Sequence, residues 1–285
     1  MPKTARTEAQ PLSIEDEITQ EAIQRLEEGA EGRLRDIMIS FTRHLHGFIR
    51  EIEPTEEEWL AAIQFLTATG QKCDDQRQEF ILLSDTLGAT MLVDAINNRK
   101  PSGATESSVL GPFYREGAPN YDNGADLATG ATDGEPVLVS GKVTDLDGAP
   151  IPGAVLDIWQ TASNAAYAAQ DPSGTSFNLC GRLTTEADGR YSFRTRKPVS
   201  YTIPGDGPVG AMLDAAGRHN WRPAHIHFML SAAGYETLVT QLFTDDDPYL
   251  GTDAVFGVKD SLVVHYDETD DGLRLDHDFV MTAAA

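Results

Sequence analysis

The sequence has little cysteine, little positive charge and no long apolar run. Its 285 residues include two cysteines, Cys73 and Cys180, too few for a disulfide framework, and they form no Cys-x-x-Cys pair. With 22 basic against 45 acidic residues the net charge is −23, which argues against a nucleic-acid-binding surface. No segment approaches the roughly 18 apolar residues that span a bilayer. We therefore expect a cytoplasmic protein that binds no nucleic acid and does not insert into a membrane.

The first hundred residues predict helices. Apolar side chains that mostly recur every three or four residues are typical of one buried helix face: Leu34, Ile37, Met38, Phe41, Leu45, Phe48 and Ile49. Thr55 and Glu58 form a capping-box pattern before a further helix, which Gly70 can end. The very apolar run over residues 80–93 predicts one largely buried helix with Gly88 inside it.

Beyond residue 103 the sequence changes to short β-branched runs separated by turns. Asp147-Gly148 and Asp188-Gly189 are typical of tight hairpin turns. The predicted strands are 137–139, 143, 155–159, 191–193, 225–230, 238–243 and 261–264. Their number and spacing indicate a sandwich. We therefore expect a mainly β protein with added helices: an all-helical domain over residues 1–105, followed by an antiparallel β-sandwich domain over residues 106–285.

Residues 222–228, which read Arg-Pro-Ala-His-Ile-His-Phe, carry the first chemical signal. His225 and His227 would share one face of a strand and could bind one metal ion, although such a pair alone is more often structural. Tyr167 and Tyr201, in predicted loops, are further candidate donors, and each alone could equally be a core aromatic. A phenol gives up its proton only to a strongly Lewis-acidic ion such as ferric iron. Clustered thiolates, usual in structural zinc sites, are absent from the sequence.

Taken together, these residues resemble the pattern of the intradiol ring-cleaving dioxygenases, which are non-heme ferric enzymes. The residues that carry the resemblance are Asp157-Ile158-Trp159 with Tyr167, then Tyr201, Asp206-Gly207-Pro208, Gly217-Arg218-His219, Arg222-Pro223-Ala224-His225-Ile226-His227 and Gln241. The resemblance covers most of the chain and includes a helical N-terminal region of the expected length. It implies one Fe(III) per subunit.

The resemblance also implies a role for each site residue. The ligands that stay on the iron throughout turnover are Tyr167, His225 and His227. Tyr201 is implied to leave the iron when a vicinal diol binds, and to take up a substrate proton. Arg222 would lie against the substrate ring and stabilise the negative charge that builds up there, although it could instead form a surface salt bridge. Gln241 would support these groups from outside the ligand set.

The apolar helix and the loop at residues 104–113 resemble the hydroxyquinol branch of this family. In that branch Asp85 would accept a hydrogen bond from the extra ring hydroxyl; the alternative is a cap or ion pair between helices. Leu110 departs from the pattern, because a larger aromatic side chain is expected there in some hydroxyquinol enzymes. The implied substrate pocket comprises Leu82, Asp85, Val109, Leu110, Gly111, Pro112, Phe113, Ile203, Pro204, Arg222 and Val255.

The implied reaction is cleavage of hydroxyquinol (benzene-1,2,4-triol) by O2 to 3-hydroxy-cis,cis-muconate or maleylacetate, in the catabolism of aromatic compounds. The resemblance further implies a homodimer formed through the N-terminal helices, with phospholipid possible at its interface. Three alternatives stay open. The protein could be a catechol or chlorocatechol 1,2-dioxygenase with a structural Asp85, a non-catalytic transthyretin-like binding module, or a cupin-like metal enzyme that uses His265 or His277.

Overall fold

The computed structural model describes residues 13–75, 77–129, 132–170 and 176–284 and divides into two compact units, 1–67 and 68–285. The first unit contains α1 (Ile14–Gly29), α2 (Gly32–Ile52) and most of α3 (Glu56–Gln71). The predicted capping box is confirmed: the Thr55 amide donates to the Glu58 carboxylate at 2.8 Å, and the Glu58 amide donates to the Thr55 hydroxyl at 3.2 Å. No described helix is long and apolar enough to cross a membrane.

The apolar side of α2 is not buried in the single chain. None of the described residues of α2 is buried, and Leu34 and Phe41 are 63% and 59% exposed. The helical period was therefore predicted correctly, but the expectation of a buried face within the chain was wrong. An apolar helix face left in contact with water is typical of a surface that binds a partner.

The apolar run at residues 80–93 forms two helices instead of the single helix expected. These are α4 (Glu79–Thr86) and α5 (Ala89–Asn97), and the chain turns between them at Gly88, whose φ is +73°. Glycine adopts this left-handed conformation without steric cost, so it ends one helix and starts the next. The expectation that this segment is largely buried was also wrong, because Leu87 and Leu92 are 62% and 63% exposed.

Two five-stranded sheets form the second unit's sandwich, beside a two-stranded ribbon and α6 (Pro208–Ala215). The strands are β1 (Pro136–Thr144), β2 (Val155–Gln160), β3 (Cys180–Thr184), β4 (Arg190–Arg196), β5 (Tyr201–Thr202), β6 (Trp221–Arg222), β7 (His225–Ser231), β8 (Leu238–Thr244), β9 (Val263–Val264), β10 (Asp267–Thr269), β11 (Gly272–Asp276) and β12 (Phe279–Val280). One sheet contains β10-β11-β1-β12 with β4 also on β1, and the other has the order β3-β2-β7-β8-β9.

The β-sandwich after an N-terminal helical region is confirmed, but the expectation of a purely antiparallel sandwich was wrong. β1 pairs in parallel with β11 and β12, and β8 pairs in parallel with β9. Each parallel pair joins strands separated by a long stretch of chain, which allows the later strand to return in the same direction. Of the predicted run 261–264, only Val263–Val264 is strand, since Asp260–Leu262 forms a 3-10 turn.

Alternation along β2 and β7 separates the sandwich core from the opposite face of the same sheet. Leu156 and Ile158 of β2, and Ile226 and Phe228 of β7, belong to the buried core that both sheets share. Successive side chains on a strand point to opposite faces, so the residues between them must face away from this core. The face that remains carries Trp159 and the histidine pair.

Candidate active site

His225 and His227 are both 1% exposed on β7, and their Nε2 atoms lie 3.1 Å apart. The Nδ1 atom of His225 lies 2.7 Å from the carbonyl oxygen of Pro223, which can only accept a hydrogen bond. Nδ1 of a neutral His225 therefore carries the proton, and Nε2 presents its lone pair to the site. The ring of His227 stacks on Trp159 with centroids 4.7 Å apart.

The two predicted tyrosine donors lie against the histidine pair. The phenol oxygen of Tyr167 is 3.2 Å from Nε2 of His225, and the ring of Tyr201 lies edge-on to that of Tyr167 with centroids 5.2 Å apart. Tyr167 is 2% exposed and Tyr201 4%. The two-stranded ribbon places Tyr201, which begins β5 and pairs with Arg222 on β6. The structure thus brings together all four residues that the sequence singled out as donors.

Burial controls the charge of these groups. It lowers the pKa of His225 to about 3, helped by the nearby charge of Arg222, and lowers the pKa of His227 well below its ordinary value. Burial, followed by the charge of Tyr201, raises the pKa of Tyr167 well above that of a free phenol. Without a bound cation, neutral imidazoles and a neutral phenol are therefore favoured near pH 7.

The donor atoms form a set suited to a cation. The two Nε2 atoms lie 3.1 Å apart, close enough for both imidazoles to bind one cation through Nε2 when each ring carries its proton on Nδ1. Among the described residues, no group of three or more His, Cys, Asp and Glu side chains could hold a metal ion. A metal at this site would therefore need the tyrosine oxygens as well. Imidazole nitrogens with hard phenolate oxygens suit iron(III).

Arg222 is buried beside these donors, so the alternative of a surface salt bridge was wrong. Its side chain is 3% exposed and forms an ion pair with Asp253, whose side chain is 2% exposed. One nitrogen, Nη1, donates to the phenol oxygen of Tyr201 at 3.2 Å, and Nη2 donates to Oε1 of Gln241 at 2.9 Å. Although burial opposes the charge, Asp253 raises the pKa of Arg222 above its ordinary value. Arg222 is thus a permanent buried cation.

Gln241 connects Arg222 to the loop before β1. Its Nε2 atom donates to the carbonyl oxygen of Val109 at 2.6 Å, while its Oε1 accepts from Arg222. In the same loop, Gly111 adopts φ +75°, and an added Cβ would lie 3.2 Å from Cε1 of His227. A side chain at this position would therefore be strained and would press on the histidine.

The other predicted pocket residues divide into two groups. Leu82, Phe113, Ile203 and Val255 pack in one apolar cluster with the tyrosines and Trp159. Three more, Leu110, Pro112 and Pro204, are exposed and lie outside that buried cluster.

Asp85 is half-buried on α4, one turn after Leu82. Burial raises the pKa of its carboxyl group, whereas a hydrogen bond from Thr90 and the positive charge of Arg222 act in the opposite direction. The effect of the Thr90 hydroxyl on α5 supports a structural role, and the electrostatic interaction with Arg222 supports a role in the site. Both interpretations of Asp85 therefore have a contact or interaction behind them.

Two family models match the chain. The model described as "Dioxygenase" matches residues 109–283, and the model described as "Catechol dioxygenase N terminus" matches residues 31–105. A 6-chlorohydroxyquinol 1,2-dioxygenase of Cupriavidus pinatubonensis is 52% identical over 93% of this chain and 96% of its own length. The chain belongs to the intradiol ring-cleavage dioxygenases.

Two further comparisons agree with this family. A hydroxyquinol 1,2-dioxygenase of a Rhizobium species is 48% identical to this intradiol dioxygenase over 94% of the chain and 95% of its own length. The crystal structure of a hydroxyquinol 1,2-dioxygenase from Pseudomonas putida DLL-E4 superposes with a TM-score of 0.91 and 52% identity, covering 95% of this chain and 99% of that one. The resemblance in the motifs is thereby confirmed, and the protein is an enzyme of a family characterised by non-heme iron.

The structure of this intradiol dioxygenase also answers the cupin-like alternative. His265 is exposed and pairs with Asp245 at 2.7 Å, and His277 packs on Phe279. Neither contacts His225, so the later histidines expected of a cupin-like site are not at the site. Family membership likewise excludes the non-catalytic binding module.

Sequence reasoning missed one residue of this site, Asp253. Its carboxylate is buried against Arg222. Burial acts to raise the pKa of Asp253, but the charge of Arg222 and the hydrogen bonds from Arg222 and Val255 contribute to a net lowering of this pKa. No local pattern marks it, because it lies in a loop 31 residues beyond Arg222 and meets that side chain only in the folded protein.

Proposed function

We propose that this protein is a hydroxyquinol 1,2-dioxygenase. It cleaves benzene-1,2,4-triol between the vicinal hydroxyls with O2, giving 3-hydroxy-cis,cis-muconate and its tautomer maleylacetate. The observation that carries the proposal is the buried cluster of two tyrosines, two histidines and Arg222, with Asp85 on the adjoining helix. Support for this substrate comes from the relatives named as hydroxyquinol and chlorohydroxyquinol dioxygenases.

One ferric ion per subunit would be held by Tyr167, Tyr201, His225 and His227. Nε2 of His225 lies 3.1 Å from Nε2 of His227 and 3.2 Å from the phenol oxygen of Tyr167. Neutral imidazole is the form of histidine that binds metal. When bound, iron(III) supplies Lewis acidity and a template for the two adjacent substrate oxygens. The hydrogen bond from His225 Nδ1 to Pro223 fixes the ring orientation that this ligation requires.

Tyr201 is the residue that we assign to proton transfer. Its phenol oxygen accepts a hydrogen bond from Nη1 of Arg222 at 3.2 Å, so a buried positive charge lies directly beside this oxygen. In the proposed reaction the Tyr201 oxygen accepts a proton from one substrate hydroxyl as the diol binds. The diol thus becomes more electron-rich without releasing a proton to water.

Arg222 would stabilise the negative charge that develops on the ring. Its guanidinium is already desolvated and held by Gln241 and Asp253, so little reorganisation is needed during the reaction. The aromatic and aliphatic side chains around it, including Phe113, Ile203 and Val255, exclude water from the ring.

Asp85 would select hydroxyquinol over catechol. A half-buried carboxylate can accept a hydrogen bond from the third ring hydroxyl, and plain catechol would leave that acceptor unpaired. The lowering effect of the Thr90 hydroxyl on the pKa of Asp85 is the observation that favours the second candidate function, a catechol 1,2-dioxygenase with a structural Asp85.

A homodimer through the N-terminal helices forms part of the proposal, with phospholipid as a further occupant of the interface. Support comes from the exposed apolar side chains of α2 and α3, such as Phe41 and Leu60, which are 59% and 55% exposed. Burial of such a face is favourable by about 25 cal/mol for each Å² of apolar surface removed from water. Acyl chains could cover any apolar surface that the second subunit leaves open.

The reaction is tested by kinetics and isotope labelling. Oxygen uptake is measured with hydroxyquinol and with catechol on the iron-loaded protein, and the product is analysed by mass spectrometry after turnover under 18O2. We expect a kcat/KM ratio strongly in favour of hydroxyquinol and both labelled atoms in the ring-opened product. Equal or better turnover of catechol would refute the substrate assignment and establish the second candidate.

A further inference from the structure

Asp253 is surrounded by four hydrogen-bond donors in the interior of the second unit. Oδ1 accepts from Nε of Arg222 at 3.0 Å and from the amide of Val255 at 3.3 Å. Oδ2 accepts from Nη2 of Arg222 at 3.2 Å and from the amide of Gly257 at 2.9 Å. The loop therefore folds around this carboxylate. The carboxylate binds the edge of the guanidinium formed by Nε and Nη2.

Hydrogen bonds occupy all the N–H donors along one edge of the Arg222 guanidinium. The Nε proton and one Nη2 proton go to Asp253, and the second Nη2 proton goes to Gln241. Nη1 alone is directed to the site, 3.2 Å from the Tyr201 oxygen and 3.4 Å from Nε2 of His225. A guanidinium is planar, so a two-bond contact along one edge fixes the direction of the remaining nitrogen.

We propose that Asp253 is a positioning residue of the ring-cleavage reaction, acting by fixing the Arg222 guanidinium so that Nη1 faces the bound ring. The inference rests on the proposed function, in which Arg222 stabilises negative charge on the substrate. Replacement of Asp253 would leave the positive charge of Arg222 in place but release its orientation. Binding of the diol, which responds to charge at several positions, should change little, whereas the reacting step should slow.

Gly257 offers a second way to disturb the same contact without removing a charge. A Cβ added at Gly257 would lie 2.7 Å from Nη2 of Arg222 and 3.1 Å from Oδ2 of Asp253. Both of these atoms are held in hydrogen bonds, so the guanidinium must shift to relieve the contact. Gly257→Ala should therefore reproduce the effect of Asp253→Asn on turnover.

Asp157 provides a matched control. Its side chain is 6% exposed and accepts two bonds from Arg182, at 2.9 and 3.1 Å, in the same two-bond geometry. Within the part of the chain that the structure describes, Arg182 makes no hydrogen bond to the proposed ligands Tyr167, Tyr201, His225 and His227. Asp157→Asn thus removes a comparable buried carboxylate whose partner has no role in the reaction.

The experiment measures kcat and KM on iron-loaded wild type, Asp253→Asn, Gly257→Ala and Asp157→Asn, together with melting temperature. For both Asp253→Asn and Gly257→Ala we expect kcat about ten- to a hundredfold lower with KM changed less than threefold, since misplacing a catalytic group by about 1 Å has effects of this size. Asp157→Asn should keep kcat within about threefold. If Asp253→Asn does not fold, Gly257→Ala alone decides the result.

Several outcomes would overturn the proposal. An unchanged kcat in the folded variants would do so, and so would an equal loss of kcat in Asp157→Asn, which would indicate a general effect of removing a buried carboxylate that is paired with an arginine. The same comparison is made with catechol. If wild type prefers catechol, the substrate assignment fails while the comparison among variants still tests Asp253; if wild type cleaves no diol, both proposals fall.

Discussion

Replacing Asp85 with alanine should reduce hydroxyquinol cleavage far more than catechol cleavage. Asp85 lies one turn after Leu82 on α4, and Leu82 packs in the apolar cluster with Tyr201 and Val255. Residues three apart on a helix share a face, so the carboxylate is directed to the same side as Leu82. The third hydroxyl of the triol is the group that distinguishes the two substrates there.

The magnitude follows from the chemistry of this contact. A hydrogen bond to a charged group contributes about 1.5–3 kcal/mol, which corresponds to roughly 10- to 150-fold in kcat/KM. Catechol makes no such bond, so removal of the half-buried carboxylate should leave its kcat/KM unchanged or somewhat higher. The ratio of the two kcat/KM values should therefore fall by about 10- to 150-fold in Asp85→Ala.

The assay compares initial rates of oxygen uptake on both substrates with equal iron content in each protein. Asp94→Ala on the neighbouring helix is the control, because Asp94 has a structural role: it accepts bonds from two loop residues, Ser107 at 3.0 Å and Lys259 at 3.3 Å. Equal losses on the two substrates in Asp85→Ala would refute substrate selection by Asp85. They would favour the structural role indicated by the effect of Thr90 on the pKa of Asp85.

Three further predictions concern other parts of the molecule. Burial raises the pKa of Cys180 to about 11, so its reactive thiolate should be scarce at pH 8, and alkylation by iodoacetamide should accelerate as the pH rises toward 11. Comparison with Cys180→Ser isolates the reaction of this thiol, and fast alkylation of Cys180 at pH 8 would contradict the burial argument. Removing iron should lower the melting temperature by several degrees, since a ligand bound only by the folded state stabilises it, and reloading should restore it; an unchanged melting temperature would contradict tight ligation. If the proposed dimer forms through α2, Phe41→Glu on the exposed face of this helix should shift the protein toward monomer in sedimentation, while Glu21→Gln on α1 should not. A Phe41→Glu dimer of unchanged stability would exclude this face.

The sequence predicted the active face of the sheet well because it depends on local alternation. His225 and His227 face one side of β7 while Ile226 and Phe228 face the core, as the period of two requires. Tyr167 and Tyr201 were found through the resemblance, since nothing in their own surroundings distinguishes a ligand from a core aromatic. Their convergence on the histidines depends on how loops fold over the sheet.

Features set by long-range pairing were predicted less well. The parallel pairing of β1 with β11 joins residues such as Val137 and Leu273, which no local pattern connects. The break at Gly88 was missed because glycine inside a helix is tolerated at a cost of only about 1 kcal/mol, so its presence did not identify an end. Asp253 was missed for a similar reason, because its importance arises from a contact with a residue far away in sequence.

The visible spectrum of the iron-loaded protein tests the central claim most directly. Tyrosinate bound to ferric iron gives a broad charge-transfer absorption, and Tyr167 and Tyr201 are the donors assigned to it. We predict a red protein whose band shifts when hydroxyquinol is added without oxygen and then returns as oxygen is admitted and the ring is cleaved. A protein that stays colourless after iron loading, or a band that persists in a Tyr167→Phe, Tyr201→Phe double variant, would contradict the proposed ligand set.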